Sequence, residues 1–335
     1  MRVAVVILNW NGKSFLEKFL PSVIINSAQA NIYVADNASS DGSLAFLKEK
    51  FPSVTLINNK ENCGFAGGYN KALKHLNEEF FVLLNSDVEV TPNWLPPIIE
   101  IFDLEEQTAI IQPKILSFYD KASFEYAGAA GGFIDKNGYP FCRGRIFDSL
   151  EKDKGQYDTV REVFWATGAC MFIRSKIYKE LGGLDDDFFA HMEEIDLCWR
   201  TKRAGFKVMV QPKSVVYHVG GGTLDKSNPF KTFLNFRNGL ELLAKNLPKN
   251  KLVGRVFIRL LWDAVAAIKF LITGQSKDFV AVIRAHFAFY SRLKKTLVKR
   301  NGNYMELKEH YRGNIIFDYY LKRKKKFSEL SSNKL

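Results

Sequence analysis

The sequence has few cysteines and no long uncharged apolar run. Its 335 residues include four cysteines, and no two of them have the spacing of a zinc knuckle or a redox pair. This pattern favours free thiols in a reducing compartment. No uncharged segment is long enough to span a membrane, and the apolar run at residues 3–8 is too short for the core of a signal peptide. We therefore expect a cytoplasmic protein, either dissolved or peripheral on the inner face of the cell membrane.

Acidic residues are scarce in the last third of the chain. Residues 1–224 carry 24 Lys and Arg against 28 Asp and Glu, whereas residues 225–335 carry 24 against 8. The net charge of +12 therefore comes from the C-terminal part. Such asymmetry suggests an anionic partner for that part, either a membrane surface or nucleic acid. Because no recognised nucleic-acid motif accompanies the charge, which alternates with long apolar stretches, we expect no nucleic-acid partner.

The first hundred residues alternate strand and helix patterns. Apolar runs over residues 2–9, 31–37, 54–59 and 80–87 predict strands, and helical patterns follow the first three. This order predicts an α/β fold with a mostly parallel central sheet and helices on both faces, whose ligands bind beyond the carboxyl ends of the strands.

The pattern of the later residues is less regular. Residues 162–175 predict a strand pair or a hairpin, and residues after about 229 predict helices. The basic segment 321–335 predicts a frayed tail.

Two carboxylates follow the fourth predicted strand. Alternate residues of an extended segment point the same way, so Asp87 and Glu89 can face one site. Clustered carboxylates repel each other unless a cation lies between them, and hard divalent cations prefer such oxygens. A solvated turn explains the same residues without any ligand.

Other polar residues have both a functional and a structural interpretation. Asp36 and Asn37 follow the second strand, where a carboxylate can accept the imide N–H of a uracil or thymine ring, or where both residues simply form a polar turn. The glycines at positions 64, 67 and 68 open a helix, either to approach an anion or to pack closely. His218 precedes a glycine-rich loop and is either a metal ligand or a structural residue.

An acidic cluster at Glu193, Glu194 and Asp196 begins a predicted helix, where acids suit the helix dipole. Asp196 and Arg200 are spaced as an ordinary helical ion pair. Only one of the three acids need face a cleft.

Seven motifs in order resemble the inverting glycosyltransferases of family 2, which have the GT-A fold, and most of all their bacterial rhamnosyltransferase-like branch. The motifs cover about residues 3–223, and they are VVILNWNG, VADNASSDGS, NCGFAGGYN, LLNSDVEV, ATGACMFIRS, GGLDDDFFAHMEEIDLCWR and VVYHVGGGT. Each motif alone is modest, but seven in the right order are specific. The residues beyond 240 are much less diagnostic.

The resemblance implies roles for the candidate residues. Asp87 would contact the donor and a metal ion, Mn²⁺ or Mg²⁺, with Glu89 and His218 as further metal ligands. Glu194 would be the catalytic base, although the family usually has Asp at the positions of both Glu89 and Glu194. The residues implied in donor binding, besides Asp87, are Asn9, Asp36, Asn37, Gly64, Gly67 and Asn70.

The implied reaction is a metal-dependent, inverting transfer of a sugar, with rhamnose suggested by the branch. The donor would be a dTDP- or UDP-sugar, and the acceptor a hydroxyl of a glycan or a polyprenyl-linked molecule in the synthesis of a cell-surface polysaccharide. The alternative is a catalytically inactive module that binds a sugar nucleotide.

We expect a catalytic domain over residues 1–228 and a basic helical region over residues 229–335. In the predicted helix 255–274, the charges of Arg255, Arg259, Asp263 and Lys269 fall in one stripe about 120° wide, and the remaining surface is apolar. Such a helix either lies in an anionic membrane interface, or packs on the catalytic domain or at a homodimer contact.

Overall fold

The computed structural model describes residues 1–220, 228–300 and 310–334, in which the chain forms fourteen strands and ten α-helices. The strands are β1 (Val3–Asn9), β2 (Ala30–Asn37), β3 (Thr55–Asn59), β4 (Phe80–Asn85), β5 (Val88–Val90), β6 (Thr108–Ser117), β7 (Gly132–Asp135), β8 (Pro140–Cys142), β9 (Arg145–Ile146), β10 (Ser149–Leu150), β11 (Arg161–Glu162), β12 (Cys170–Arg174), β13 (Lys207–His218) and β14 (His310–Tyr311). The helices are α1 (Lys13–Asn26), α2 (Ser43–Lys50), α3 (Gly64–Leu73), α4 (Pro96–Leu104), α5 (Ser175–Glu180), α6 (Glu193–Arg203), α7 (Pro229–Asn246), α8 (Lys249–Ile272), α9 (Ser276–Val298) and α10 (Ile315–Tyr320).

A mixed sheet forms the centre of the structure. Its strands lie in the order β11-β13-β6-β12-β4-β1-β2-β3, and β5 pairs with β13. The strands β3, β2, β1 and β4 are parallel, as are β6 and β13, whereas β12 runs antiparallel between β4 and β6. The mostly parallel α/β fold expected from the sequence is confirmed. The strands β1 and β4 consist almost entirely of buried apolar residues, as strands covered on both faces require.

The segment 162–175 is not a hairpin. It contains the end of β11 and all of β12, but β11 pairs with β13, and β12 pairs with β4 and β6. The hairpin expectation is wrong because an apolar run of this kind specifies burial and not which neighbour a strand takes.

A second sheet, of order β10-β9-β8-β7-β14, joins the end of the chain to its middle. The strand β14 adds to β7 in parallel, so the region after residue 229 is not wholly helical. The expected frayed tail is also wrong for the described residues. Phe327 is buried and its ring centre lies 5.0 Å from that of Phe133, and Leu330 is buried as well. These two apolar side chains, set among lysines and serines, anchor the segment.

The predicted division of the chain after residue 228 remains a prediction. One hydrophobic core contains Leu242, Tyr311 and Phe327 together with Val6 and Phe81 of the central sheet. Among the described helices, none is both long enough and apolar enough to cross a bilayer.

Candidate active site

A cavity of about 430 Å³ lies beyond the carboxyl ends of β1, β2 and β4. Five of the residues selected from the sequence line it: Asn37, Gly64, Asp87, Glu194 and His218. The strand ends supply Asn37 and bring the chain to Asp87, while the first turn of α6 supplies Glu194 and the end of β13 supplies His218. The sheet therefore gathers residues that are more than 130 positions apart, such as Asp87 and His218, at one edge.

His218 lies between two carboxylates. Its Nε2 is 3.1 Å from Oδ1 of Asp87, and its Nδ1 is 3.1 Å from Oε2 of Glu125. Burial alone would lower the pKa of His218, but the two carboxylates raise it to about 10. Burial alone would raise the pKa of Asp87, but the neighbouring imidazolium lowers it below its ordinary value. Without a bound cation, His218 therefore carries the positive charge that these buried acids require.

Asp87 and His218 fit a divalent cation. A carboxylate oxygen and an imidazole nitrogen suit Mn²⁺, and the carboxylate of Glu125 on the second ring nitrogen is the arrangement that orients metal-binding histidines. Binding of a metal would release the proton of His218. Within the described residues, no group of three or more His, Cys, Asp and Glu side chains is arranged to hold a metal ion. Asp87 and His218 would therefore leave the remaining coordination positions to other ligands.

The structure does not bring Glu89 into the cavity. Glu89 lies in β5 and its Oε1 accepts a hydrogen bond of 2.6 Å from Nζ of Lys121. Asp87 lies in the turn before β5, so the two residues are not alternate members of one extended segment. The expectation that both face one site because they are two residues apart is therefore wrong, and metal binding by Glu89 stays an untested prediction.

The acids at the start of α6 differ in their environments. Asp196 is fully buried and accepts hydrogen bonds from Arg200 and Lys245, which hold its pKa below the ordinary value although burial raises it. Among the residues that the structure describes, Glu194 has no comparable cationic partner, and one of its carboxylate oxygens has no hydrogen-bond partner. Burial raises its pKa to about 7. The pKa of Glu193 is raised further, by burial and by the charge of Glu194. Of the three acids, Glu193 and Glu194 line the cavity.

Asn9 and Asp36 lie beneath the cavity and do not line it. Both are fully buried, and Nδ2 of Asn9 donates to Oδ1 of Asp36 at 2.9 Å. The other oxygen of Asp36 accepts from the backbone N–H of Ser39 at 2.9 Å. In this arrangement Asp36 fixes the turn after β2. Its predicted contact with a pyrimidine ring remains a prediction.

The glycine-rich start of α3 packs against the segment that precedes α6. Gly64 has a φ of +70°, and a Cβ added to it would lie 2.5 Å from the carbonyl oxygen of Phe189. Asn70 binds the same region, since its Nδ2 donates to the carbonyl of Leu184 at 2.7 Å. A Cβ on Gly67 would lie 2.8 Å from that of Cys63. Gly67 and Asn70 lie outside the cavity lining, and their predicted roles in donor binding stay predictions.

Glu125 and His191 line the cavity, although the sequence analysis did not propose either as a site residue. Glu125 lies in an irregular segment after β6 and no local pattern marks it. His191 precedes the acidic cluster, and its Nε2 is buried without a hydrogen-bond partner. Burial lowers the pKa of His191 to about 4, so its ring is neutral. The position of His191 next to the acidic cluster is the feature of the sequence that could have indicated a role in the site. The glycine-rich loop after His218 continues into residues 221–223, which lie outside the described residues.

The mixed sheet, with its cavity beyond the carboxyl ends of the strands, has the GT-A fold. A solved structure of GalNAc-T7 with UDP, GalNAc and Mn²⁺ matches with a TM-score of 0.57 at 17% identity, over 75% of this chain and 49% of that one. This chain thus spans about half the length of that neighbour. A likeness at this identity shows the fold alone.

The chain belongs to glycosyl transferase family 2, whose sequence model matches residues 4–182. It is 24% identical to N-acetylglucosaminyl-diphospho-decaprenol L-rhamnosyltransferase of Mycobacterium tuberculosis, over 64% of this chain and 75% of that protein. It is also 24% identical to the low-salt glycan biosynthesis hexosyltransferase Agl10 of Haloferax volcanii, over 76% of this chain and 78% of that protein. The family resemblance seen in the motifs is confirmed.

Proposed function

We propose that the protein transfers a sugar from a nucleotide-diphosphate donor to an acceptor hydroxyl, with inversion at the anomeric carbon. The observation that carries this proposal is Glu194, a half-buried residue whose carboxyl has a pKa of about 7 and one oxygen without a hydrogen-bond partner among the described residues, in the same cavity as the Asp87–His218 pair. A carboxyl that titrates near neutral pH is ionised in a large fraction of the molecules, and its raised pKa makes it a stronger base toward the proton of a hydroxyl.

The reaction is a single displacement. The oxygen of the acceptor hydroxyl bonds to the anomeric carbon, and Glu194 takes the proton of that hydroxyl. The bond between that carbon and the diphosphate oxygen breaks, and its electron pair leaves with the nucleoside diphosphate. Attack from the face opposite the leaving group inverts the configuration, so no nucleophilic carboxylate of the protein is needed.

A divalent cation held by Asp87 and His218 would neutralise the charge that develops on the departing diphosphate. The GalNAc-T7 structure was solved with Mn²⁺, which supports this proposal, although Mg²⁺ has the same charge. If the proposal is right, EDTA abolishes transfer and either cation restores it. Full activity in EDTA would contradict it.

The donor and acceptor are proposed from the relatives. The UDP in the GalNAc-T7 structure supports a pyrimidine nucleotide, so a UDP- or dTDP-sugar is proposed as the donor. The mycobacterial relative is named for a rhamnosyl transfer to a diphospho-decaprenol acceptor, which supports rhamnose and a glycan or polyprenyl-linked acceptor in the synthesis of a surface polysaccharide.

The rival function is binding of a sugar nucleotide without catalysis. The two functions differ in turnover, so the decisive experiment incubates the protein with dTDP-rhamnose and with UDP-sugars and measures the release of nucleoside diphosphate, with and without acceptor. We expect release that depends on Glu194, and NMR of the product should show inversion. Tight donor binding without any release would favour the inactive module.

A further inference from the structure

Two charges of the stripe on α8, Arg259 and Asp263, face the protein. Arg259 and Asp263 are 4% and 0% exposed, and Nε of Arg259 donates to Oδ1 of Asp263 at 2.8 Å. The hydroxyl of Tyr139 donates to the same oxygen at 3.1 Å, and the guanidinium of Arg259 lies 4.0 Å from the centre of the Tyr139 ring. Arg259 and Asp263 of α8 therefore pack against the turn between β7 and β8.

The opposite side of α8 is apolar and exposed. We call it the α8 face; its side chains are each more than half exposed, and they are Val253, Phe257, Leu261, Val265, Ile268, Leu271 and Ile272. They recur every three or four residues over about 28 Å of helix. A helix with its charges inside and its apolar side chains in water is inverted relative to an ordinary surface helix. Such an exposed stripe marks a binding surface.

The basic end of the chain lies beside the α8 face. Nζ of Lys269 is 5.6 Å from the centre of the Tyr320 ring, and Tyr320 and Leu321 are 48% and 65% exposed. The cations that follow them, Lys322, Arg323 and Lys326, are exposed. Phe327 follows these cations in the sequence and is buried, so it holds this part of the chain in position beside α8.

The exposed charged side chains of α8 and α9 have one sign. Within residues 249–298, all of which the structure describes, the exposed charged side chains are cations: Lys249, Lys269, Lys277, Arg284, Lys294 and Lys295. The two acids of this segment are not exposed, since Asp263 is buried and Asp278 accepts a hydrogen bond from Thr232. A partner that covers this surface must therefore be apolar where it meets α8 and anionic around it.

We propose that the α8 face docks on a bilayer that contains anionic lipids, with α8 lying in the plane of the membrane. The side chains of the α8 face would enter the boundary of the acyl chains, and the surrounding lysines and arginines would bind the lipid phosphates. A symmetric dimer through this face would place the cations of two copies against each other, which disfavours a second copy as the occupant. A nucleic acid would leave the apolar stripe uncovered. The proposal goes beyond the proposed function and does not depend on it, because docking requires no turnover.

Flotation of the full-length protein with vesicles tests the proposal. Vesicles of phosphatidylcholine and phosphatidylglycerol should carry the protein upward, vesicles of phosphatidylcholine alone should carry less, and added salt should weaken the difference. A combined Phe257→Ser, Leu261→Ser and Ile268→Ser variant should lower the partition coefficient by about tenfold or more. A combined Lys322→Glu, Arg323→Glu and Lys326→Glu variant should bind phosphatidylglycerol vesicles about tenfold more weakly or worse.

The controls are substitutions of the same kind at exposed positions away from α8. Ile25 and Leu104 are 75% and 81% exposed on α1 and α4, so Ile25→Ser with Leu104→Ser removes exposed apolar side chains away from the α8 face. The side chain of Lys176 is 82% exposed, which makes Lys176→Glu the control for charge. These controls should float like the wild type, and the controls and the α8 variant should keep its Tm because the residues changed in them are exposed. The proposal is overturned if the wild-type protein does not float, if the α8 variant floats as well as its control, or if light scattering shows a dimer that Phe257→Ser dissociates.

Discussion

Glu194 and Asp196 are both carboxyl groups in the first turn of α6, yet among the described residues only Asp196 has basic partners. Arg200 and Lys245 hold Asp196 ionised, whereas burial without a cation moves the pKa of Glu194 to about 7. In the proposed reaction, Glu194→Gln keeps the shape of the side chain and removes the proton acceptor. We expect kcat to fall by roughly 10²–10⁴-fold, the usual contribution of a general base. Nucleotide binding, measured by calorimetry, should be nearly unchanged.

Two neighbouring variants are the controls for this prediction. Glu193→Gln should retain more activity than Glu194→Gln, because burial and the charge of Glu194 raise the pKa of Glu193 and favour its neutral form. Asp196→Asn should lower the Tm, since it leaves Lys245 less well paired in the interior. If Glu194→Gln turns over like the wild type while a folded Glu193→Gln variant is dead, the base has been assigned to the wrong carboxyl.

The pH dependence of the reaction follows from the same group. Glu194 must be ionised to act as a base, so kcat/KM should rise with pH and level off above about pH 7. A carboxyl whose pKa is raised on folding binds its proton more tightly in the folded state. Its contribution to stability therefore grows as the pH falls from about 7 toward the ordinary value. Loss of activity over that range should thus occur without loss of Tm through this group. A flat profile between pH 5 and pH 8 would contradict the role of Glu194.

At the scale of elements, the helix α7 holds the segment that carries the acidic cluster. Phe189, His191 and Met192 all have positive φ, between 66° and 75°, which side chains rarely adopt. The buried amide of Asn238 donates to the carbonyls of Phe188, Ala190 and His191 at 2.7–3.0 Å. The C-terminal helices therefore help to build the cavity.

Asn238→Asp tests this arrangement. The carboxylate has the shape of the amide but cannot donate, so three carbonyls lose a hydrogen-bond donor. Leaving a buried group without its partner lowers the free energy of unfolding by about 1–3 kcal/mol. We expect a lower Tm and a fall in kcat of about tenfold or more, with the donor KM changed less. The control is Asn250→Asp at the exposed start of α8, which should change neither. A variant of Asn238 with normal turnover would show that the segment needs no support from α7.

At the scale of the whole molecule, the end of the chain is part of the core. The ring of Phe327 lies among those of Phe133, Phe141 and Tyr157, with centres 5.0–6.2 Å apart. Phe327→Ala should lower the free energy of unfolding by about 3–5 kcal/mol, the usual cost for a buried phenylalanine. Urea denaturation measures this change. Phe257→Ala, at a side chain that is 61% exposed, should cost far less. Equal effects would mean that the end of the chain does not contribute to the core.

The order of the first four strands and of the three helices between them, and the strand ends that line the cavity, followed from the sequence alone. Runs such as Val3–Asn9 and Phe80–Asn85 are buried on both faces, and the polar residues that end such runs must lie at the sheet edge. The motifs of Asp87, Glu194 and His218 are local, so a single sequence could place them in one family.

The tertiary structure alone decided which groups face each other. Glu125 reaches His218 across 93 residues, Glu89 turns to Lys121, and Phe327 enters the core from a segment that resembles a tail. The direction of α8 is the same kind of fact. Its sequence defines one charged side and one apolar side, but which side faces the protein depends on partners distant in the chain, here Tyr139 and His286 around Asp263. The periodicity of a sequence shows only how charges are distributed around one helix. Whether a charge is buried depends on the partners that other parts of the chain provide for it.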